Sequence, residues 1–230
     1  MIDEFLKNIS NKISLSKFLS LEEQEIVKKS KYFYYLLPIE CERKRAIVSK
    51  DEIYDNNINI SIIKITYNKK FGEIKHKDVL GSLIGLGIKR ECIGDIILDN
   101  NIYVYVISEM ESFILNNLYK VGNIVVNVSL ALYDEIKDIK VSNYLEKQII
   151  VSSYRLDTII SERCCYSREK AKKYITLKNV KVNGIVNTNP DYIVKINDLV
   201  SIHKFGRLII KEEVKKTNKD KFVLKINITK

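Results

Sequence analysis

The sequence has little of several features that mark membrane, secreted or fibrous proteins. It contains no tryptophan, two prolines and eight glycines in 230 residues, so no stretch is rich enough in proline and glycine to form a flexible linker. No apolar run approaches the roughly 18 residues that a transmembrane helix needs. The first residues carry early acids and no apolar signal-peptide core. We therefore expect a cytoplasmic protein with no membrane partner.

The four cysteines do not form a metal-binding or disulfide pattern. Cys41, Cys92, Cys164 and Cys165 make no C-x-x-C pair, and neither histidine lies at ligand spacing from them. We expect reduced thiols that pack as small apolar groups. The adjacent Cys164 and Cys165 leave a vicinal redox switch open as an alternative. We expect no metal and no cofactor.

Charge is distributed unevenly along the chain. Residues 151–230 hold 18 Lys and Arg against 8 Asp and Glu, whereas residues 1–150 hold 21 of each kind. The net charge of +10 therefore belongs to the C-terminal third. Such asymmetry indicates a partner with dense negative charge, either nucleic acid or a membrane surface. A membrane-surface adaptor would need a basic amphipathic helix with large apolar anchors, and the one basic helix here is short.

The C-terminal third is predicted to contain two helices, a tight hairpin and further strands. Leu156, Ile159 and Ile160 have the spacing of a helix with one buried face. Ser167 fits the cap of a second, basic helix over about 168–177. A strand at 180–182 runs into the Asn-Gly pair of a hairpin, and a strand at 199–203 follows. Two more strand-like stretches lie at 208–214 and 222–228.

This series resembles the S4 RNA-binding domain, through the motifs RLD, SR, VKVNG, DLVSI and GR in that order. In that family the paired helices and the next strand present basic side chains to folded RNA. The resemblance implies that Arg155 and Arg168 are the principal RNA contacts. His203 and Lys204 stand where such domains usually have Arg-Gly, and lysine lacks the planar fork that grips phosphate at two points. The other expected RNA-binding residues are Ser167, Lys170, Lys172, Lys173, Lys178, Lys181, Asn183, Lys204 and Arg207.

The middle of the chain has the pattern of a small α+β domain. Strands are predicted at 58–67, 93–98, 102–107 and 124–130, and helices at 76–87 and 108–119. This βαββαβ series is the ferredoxin-like plan, which RNA-recognition modules share.

The middle domain offers a possible second RNA surface. Tyr103 and Tyr105 alternate with valines and so share one face of their strand, where they are candidates for base stacking. Ordinary packing is the alternative for both. Basic residues flank the helix at 76–87 and are either phosphate contacts or a solvated face: Lys75, His76, Lys77, Lys89 and Arg90.

Residues 1–57 are predicted to be a helical segment. Ser20 and Glu23 form a capping box before a helix over about 21–37, which Pro38 ends. The cluster Glu42-Arg43-Lys44-Arg45 follows in a predicted loop. It is either a phosphate contact or a solvated turn.

A second resemblance covers nearly the whole chain. The block HKDVLGSLIGLGIKRECIGDI at 76–96, with FLSLEEQ at 18–24 and ERKRA at 42–46, resembles the YlmH family. It implies an N-terminal helical segment (1–57), a ferredoxin-like RNA-binding domain (58–146) and an S4 domain (147–230). It further implies binding to 23S rRNA and peptidyl-tRNA on a stalled large ribosomal subunit. The implied role is ribosome-associated quality control of the nascent chain, by a protein that is a monomer off the ribosome.

No active site is evident, and we expect a protein that is not an enzyme. The glycines at 81–87 do not match a nucleotide-binding motif, and neither His76 nor His203 has a partner at motif spacing. The alternative is an RNA-modifying enzyme or its targeting subunit, because Arg155-Leu156-Asp157 resembles the R-L-D of some pseudouridine synthases. We expect Asp157 instead to be a first-turn acid that favours the helix dipole.

Overall fold

The structure is a computed structural model that describes residues 2–9, 13–54, 57–137, 139 and 145–229. The chain divides into two compact units, Met1–Val141 and Ser142–Lys230. Within the described ranges, no helix has the length and apolar character needed to cross a bilayer.

The first unit begins with a small antiparallel sheet and two helices. Its elements are α1 (Ile2–Lys7), β1 (Ser14–Leu19), α2 (Leu21–Lys28), β2 (Phe33–Leu37) and β3 (Lys44–Ser49). The strands lie in the order β1-β3-β2. Leu19, Val27, Ala46 and Val48 form its core. The predicted capping box at Ser20 is present and opens α2.

The prediction that this segment is helical is therefore wrong in part. The second helix ends at Lys28, and residues 33–37 form a strand where a helix was expected. The stretch Phe-Tyr-Tyr at 33–35 is aromatic and pairs well across a sheet, so pairing with β3 outweighs its apolar spacing. The loop predicted at 42–45 also ends early, since Lys44 and Arg45 already belong to β3.

A larger sheet forms the rest of the first unit. Its elements are β4 (Ile60–Tyr67), α3 (His76–Gly85), β5 (Ile93–Leu98), β6 (Ile102–Ile107), α4 (Glu111–Asn117), β7 (Lys120–Val121) and β8 (Ile124–Leu130). The strands lie in the order β5-β6-β4-β8-β7, and neighbours are antiparallel. The strands and helices predicted for residues 58–130 are present, with no end shifted by more than three residues, and β7 is an addition.

Both faces of this sheet are covered. All six residues of β6 are buried, and Val79 of α3 and Ile114 of α4 belong to the same core. Phe18 of β1 packs at Gly94, where an added Cβ would lie 2.6 Å from the phenylalanine ring. Glycine is thus required at residue 94, because any side chain would collide with the N-terminal sheet.

The second unit is a six-stranded sheet with two helices. Its elements are β9 (Leu145–Val151), α5 (Leu156–Cys164), α6 (Arg168–Thr176), β10 (Val180–Val182), β11 (Ile185–Val186), β12 (Leu199–Ile202), β13 (Gly206–Lys216) and β14 (Phe222–Thr229). The strand order is β11-β10-β12-β13-β14-β9. The predicted helices, hairpin and C-terminal strands are confirmed. The strand β9 was not predicted.

The Asn-Gly hairpin has the backbone that its sequence predicts. Asn183 and Gly184 have φ values of 50° and 84°, which is the left-handed conformation that both central residues of a type I′ turn need. This turn joins β10 to β11 and sets the position of Lys181 on the sheet.

Candidate RNA-binding surface

The first two helices of the second unit meet at a buried carboxylate. Arg155 precedes α5 and donates to Asp157 through Nε to Oδ1 (3.1 Å) and Nη2 to Oδ2 (2.9 Å). Arg168 begins α6 and donates through Nε to Asp157 Oδ2 at 3.3 Å. The Asp157 side chain has no exposed area. We call Arg155, Asp157 and Arg168 the arginine clamp.

The clamp keeps Asp157 charged. Burial alone raises the pKa of this carboxyl, but the hydrogen bonds from Arg155 and Arg168 outweigh it and hold the pKa below its usual value. Arg155 also donates to Asp191, on the segment between β11 and β12. The prediction of a first-turn acid is thus incomplete, since the Asp157 carboxylate joins the starts of two helices, and Arg155 in turn contacts the loop at Asp191.

The two arginines differ in what they leave to solvent. The Arg168 side chain is 53% exposed and that of Arg155 is 29% exposed. Their charges lie at the starts of consecutive helices, where the resemblance placed RNA contacts. Asp157 accepts from Nε of Arg168, and this contact orients the remaining nitrogens of the planar guanidinium.

Helix α6 extends the positive surface away from the clamp. Ala171 and Ile175 face the core, so Lys172 and Lys173 lie on the solvent side. Lys170 Nζ lies 4.0 Å from the centre of the Tyr166 ring, a cation–π contact. Ser167 Oγ accepts the backbone N–H of Lys170, so this hydroxyl caps the helix. Capping alone accounts for a serine at residue 167, without the predicted RNA contact.

The turn that carries Lys204 is fastened to the helices. Arg163 Nη2 donates to the Phe205 carbonyl at 2.8 Å, and the Tyr174 hydroxyl donates to the His203 carbonyl. The Phe205 ring packs edge-on against Tyr166. Lys204 is exposed with a left-handed φ of 65°. The backbone of Lys204 is therefore held in place, although its side chain lacks the planar guanidinium of arginine.

Lys181 and Arg207 lie apart from the clamp, on the other face of the sheet. Val180 and Val182 are buried, so the intervening Lys181 points away from the core. Its register partner is Ser201, whose partner on the next strand is Arg207. The structure thus separates the predicted RNA-binding residues into a helix-side group and this outer row.

Asn183 has a structural role. Its amide donates to Asp198 Oδ1 at 2.9 Å, and its carbonyl oxygen accepts the N–H of Leu199 at 2.9 Å. Both ends of the side chain are used in holding the hairpin to β12. Lys178, which follows α6, is exposed with a φ of 63°.

In the middle sheet, the tyrosines predicted to stack on bases face the interior. Tyr103 is 5% exposed and Tyr105 is 2% exposed. The Tyr105 hydroxyl donates to Glu40 Oε1 at 3.1 Å, and burial raises its pKa. Of the two alternatives, the structure supports ordinary packing over base stacking for both tyrosines, because the N-terminal segment covers this side of the sheet. The period-2 pattern was sound, but it could not show what packs on the strand.

The basic residues around α3 differ in their exposure and in their electrostatic surroundings. Lys75, Lys77 and Lys89 are exposed. Desolvation and the charge of Arg90 lower the pKa of His76, so this histidine is mostly neutral at pH 7. Arg90 donates to the Ile93 carbonyl, and burial with the charge of Arg43 lowers its pKa.

The cluster Glu42-Arg43-Lys44-Arg45 is not a solvated turn, because Lys44 and Arg45 lie in β3 and the Arg45 side chain is buried. Arg45 is 2% exposed and donates to the carbonyls of Ser16 (2.7 Å), Ile58 (2.6 Å) and Asn59 (2.6 Å). Asp95 Oδ2 and Oδ1 accept the backbone N–H groups of Glu42 and Arg43. These contacts fasten the N-terminal sheet to the larger one. Sequence analysis missed Asp95, since a lone strand aspartate gives no signal.

The described residues contain no group of three His, Cys, Asp or Glu side chains placed to hold a metal ion. The four cysteines are free thiols, and Cys165 alone among them is exposed.

Comparisons with known proteins agree with the two units. Residues 155–200 match the family model described as the S4 domain. Residues 54–135 match the family model described as a putative RNA-binding domain in YlmH. The fold and the surface therefore define a protein built of RNA-binding domains, with the S4 domain at its C-terminal end.

A curated relative places the chain more narrowly. The chain is 30% identical over 185 residues to the Ribosome-associated protein quality control protein P2 of Bacillus subtilis (strain 168), which covers 79% of this chain and 72% of the relative. It is also similar to a solved structure, the Cell division protein ylmH from Streptococcus pneumoniae, with 21% identity and a TM-score of 0.48 over 59% of this chain and 89% of that one. The chain belongs to the YlmH family.

Proposed function

We propose that this protein binds rRNA and tRNA on the large ribosomal subunit and takes part in ribosome-associated quality control of stalled nascent chains. The name of the B. subtilis relative supports ribosome association and quality control. The two RNA-binding domain matches support contact with RNA. In this proposal the protein works in the cytoplasm, its partners are 23S rRNA and peptidyl-tRNA, and it is a monomer off the ribosome.

The observation that carries the proposal is the arginine clamp within a strongly basic unit. Asp157 holds Arg155 and Arg168 at the starts of consecutive helices, and residues 151–230 have a surplus of ten positive charges. Phosphate neutralisation with counterion release then supplies much of the affinity. Because the arginines are held in place beforehand, little side-chain entropy is lost on binding.

We propose that the protein acts by binding and not by catalysis. A pseudouridine-synthase-like mechanism needs a carboxylate that reaches the base, whereas the Asp157 side chain is fully buried and bonded to both arginines. The aspartate of the R-L-D triplet thus has a positioning role in the clamp.

We further propose that the middle sheet is ferredoxin-like and serves the first unit mainly as a scaffold. The order β8-β4-β6-β5, with one helix after β4 and one after β6, supports that class. With Tyr103 and Tyr105 buried, any RNA contact of this domain falls to the exposed Lys75, Lys77 and Lys89.

The test is crosslinking and sequencing of RNA bound to the protein in cells, with ribosome co-sedimentation in vitro. We expect reads on large-subunit rRNA and tRNA, and loss of co-sedimentation in an Arg168→Gln, Lys172→Gln, Lys173→Gln variant. A Lys219→Gln variant, changed in an exposed turn of the same unit, is the matched control. Reads at one modified RNA position, with the modification lost on gene deletion, would support the enzyme alternative.

A further inference from the structure

The strand β2 carries three exposed aromatic side chains in a row. Phe33 is 51% exposed, Tyr34 is 37% exposed and Tyr35 is 47% exposed. The strand lies at an edge of its sheet, with β3 as its neighbour. It falls outside both segments that match family models, 54–135 and 155–200. Exposed aromatic side chains on an edge strand favour aggregation unless a binding partner covers them.

Phe33 and Tyr35 share one face of the strand. They pair with Ser49 and Ile47 of β3, while Tyr34 pairs with Val48 on the side of the N-terminal core. Alternate residues of a strand lie about 6.6 Å apart. Two half-exposed rings at this spacing on a rigid strand can receive two successive bases of an unstacked strand, as aromatic platforms in single-strand binders do.

The approach to this pair is basic. The helix α2 ends at Lys28, and the segment that joins it to β2, Lys29-Ser30-Lys31-Tyr32, contains no acid. Lys28 is paired with Glu25 at 2.6 Å. Lys29 and Lys31 are exposed, and in the described part of the chain no carboxylate is found in an ion pair with either. These cations directly precede the aromatic strand, in a first unit whose basic and acidic residues balance.

We propose that β2 and the lysines before it form a binding site for single-stranded RNA, in which Phe33 and Tyr35 stack on bases and Lys29 and Lys31 contact phosphates. A polyanion is favoured over an added protein strand by the local charge. It is also favoured by the aromatic composition, because strand addition uses the backbone and needs no ring faces. Pro38, directly after the strand, further shortens the edge available for pairing.

The test measures binding of the full chain to a fluorescein-labelled eight-nucleotide oligoadenylate and, separately, to a structured RNA hairpin. A Phe33→Leu, Tyr35→Leu variant keeps apolar bulk on the strand and removes both rings. We expect about 30-fold weaker binding of the oligomer and unchanged binding of the hairpin. Tyr119→Leu, which changes an aromatic residue 70% exposed elsewhere in the unit, is the matched control and should bind like the wild type.

Photocrosslinking of the oligomer, followed by mass spectrometry, gives a readout that does not depend on the variant. We expect adducts on the peptide that contains residues 29–37. Equal oligomer affinity of the double variant and the wild type, or adducts confined to other peptides, would overturn the proposal. So would concentration-dependent dimers that the double variant abolishes without changing RNA affinity, since the site would then bind a second copy.

Discussion

The two units of this protein place arginine in different surroundings, buried in the first unit and half exposed in the second. In the first unit Arg45 is 2% exposed and donates to three backbone carbonyls, so its charge is enclosed by the fold. In the second unit Arg168 is half exposed and shares a buried carboxylate with Arg155. The carbonyls around Arg45 give it a structural role, whereas the single carboxylate that orients Arg168 leaves part of its guanidinium exposed to solvent. Local charge density in the sequence does not distinguish these cases.

The largest expected effect is on the structural arginine. Arg45→Ala leaves the carbonyls of Ser16, Ile58 and Asn59 without their donor. We expect the free energy of unfolding of the first unit to fall by about 3–5 kcal/mol. Chemical denaturation followed by circular dichroism measures it. Lys50→Ala, on the exposed residue after β3, is the control and should change stability by under about 0.5 kcal/mol. RNA affinity of the folded Arg45→Ala fraction should be unchanged.

The next effect concerns the centre of the clamp. Asp157→Asn removes the charge that Arg155 and Arg168 share. We expect a loss of about 2–4 kcal/mol from the second unit, because Arg168 loses its charged acceptor and Arg155 keeps only Asp191. Hydrogen exchange of the amides in α5 and α6 reports it. Wild-type protection of these helices would show that the clamp does not hold them together.

The same carboxylate predicts a dependence of stability on acid. The folded-state pKa of Asp157 lies below its usual value of 3.8. Its contribution is therefore fully present above about pH 4 and is lost as pH falls through the folded-state pKa. Urea unfolding of the wild type between pH 6 and pH 2 should show this loss in the second unit. In Asp157→Asn the curve should be flatter, and equal slopes would contradict the assignment.

The smallest expected effect tests the buried tyrosine. Tyr105→Phe removes the hydroxyl that donates to Glu40. We expect a loss of about 1 kcal/mol in stability and no change in RNA affinity. Thermal unfolding measures the change in stability, and filter binding measures the RNA affinity. Weaker RNA binding without loss of stability would restore the stacking role that burial argues against.

Much of the second unit was predictable, because its signals are local. The cap at Ser167, the Asn183-Gly184 turn and the spacing of Leu156, Ile159 and Ile160 each determine nearby backbone, and the structure has these elements. The strand β9 was missed since Glu-Lys-Gln in its first half gives no alternation, and it forms by pairing with β14.

The first unit was less predictable, because its decisive contacts are long-range. The period of Tyr103 and Tyr105 identified their shared face, but Phe18 and Glu40 cover that side, and they are 87 and 65 residues away from Tyr105 along the chain. A helix was predicted through Leu37, but residues 33–37 form a strand instead because they pair with β3. The hydrogen-bond partners of Arg43 and Arg45 are likewise distant in sequence, so a local pattern could not identify them.

The most direct test of the account is the salt dependence of RNA binding by the wild type and by the Arg168→Gln, Lys172→Gln, Lys173→Gln variant, against an Arg43→Gln variant in the neutral unit. We expect the slope of log affinity against log salt to fall by about 2–3 in the triple variant, because each phosphate contact contributes roughly 0.7–0.9. The slope should not change in Arg43→Gln. Unchanged affinity and slope in a folded triple variant would contradict the claim that the helix side of the second unit binds RNA.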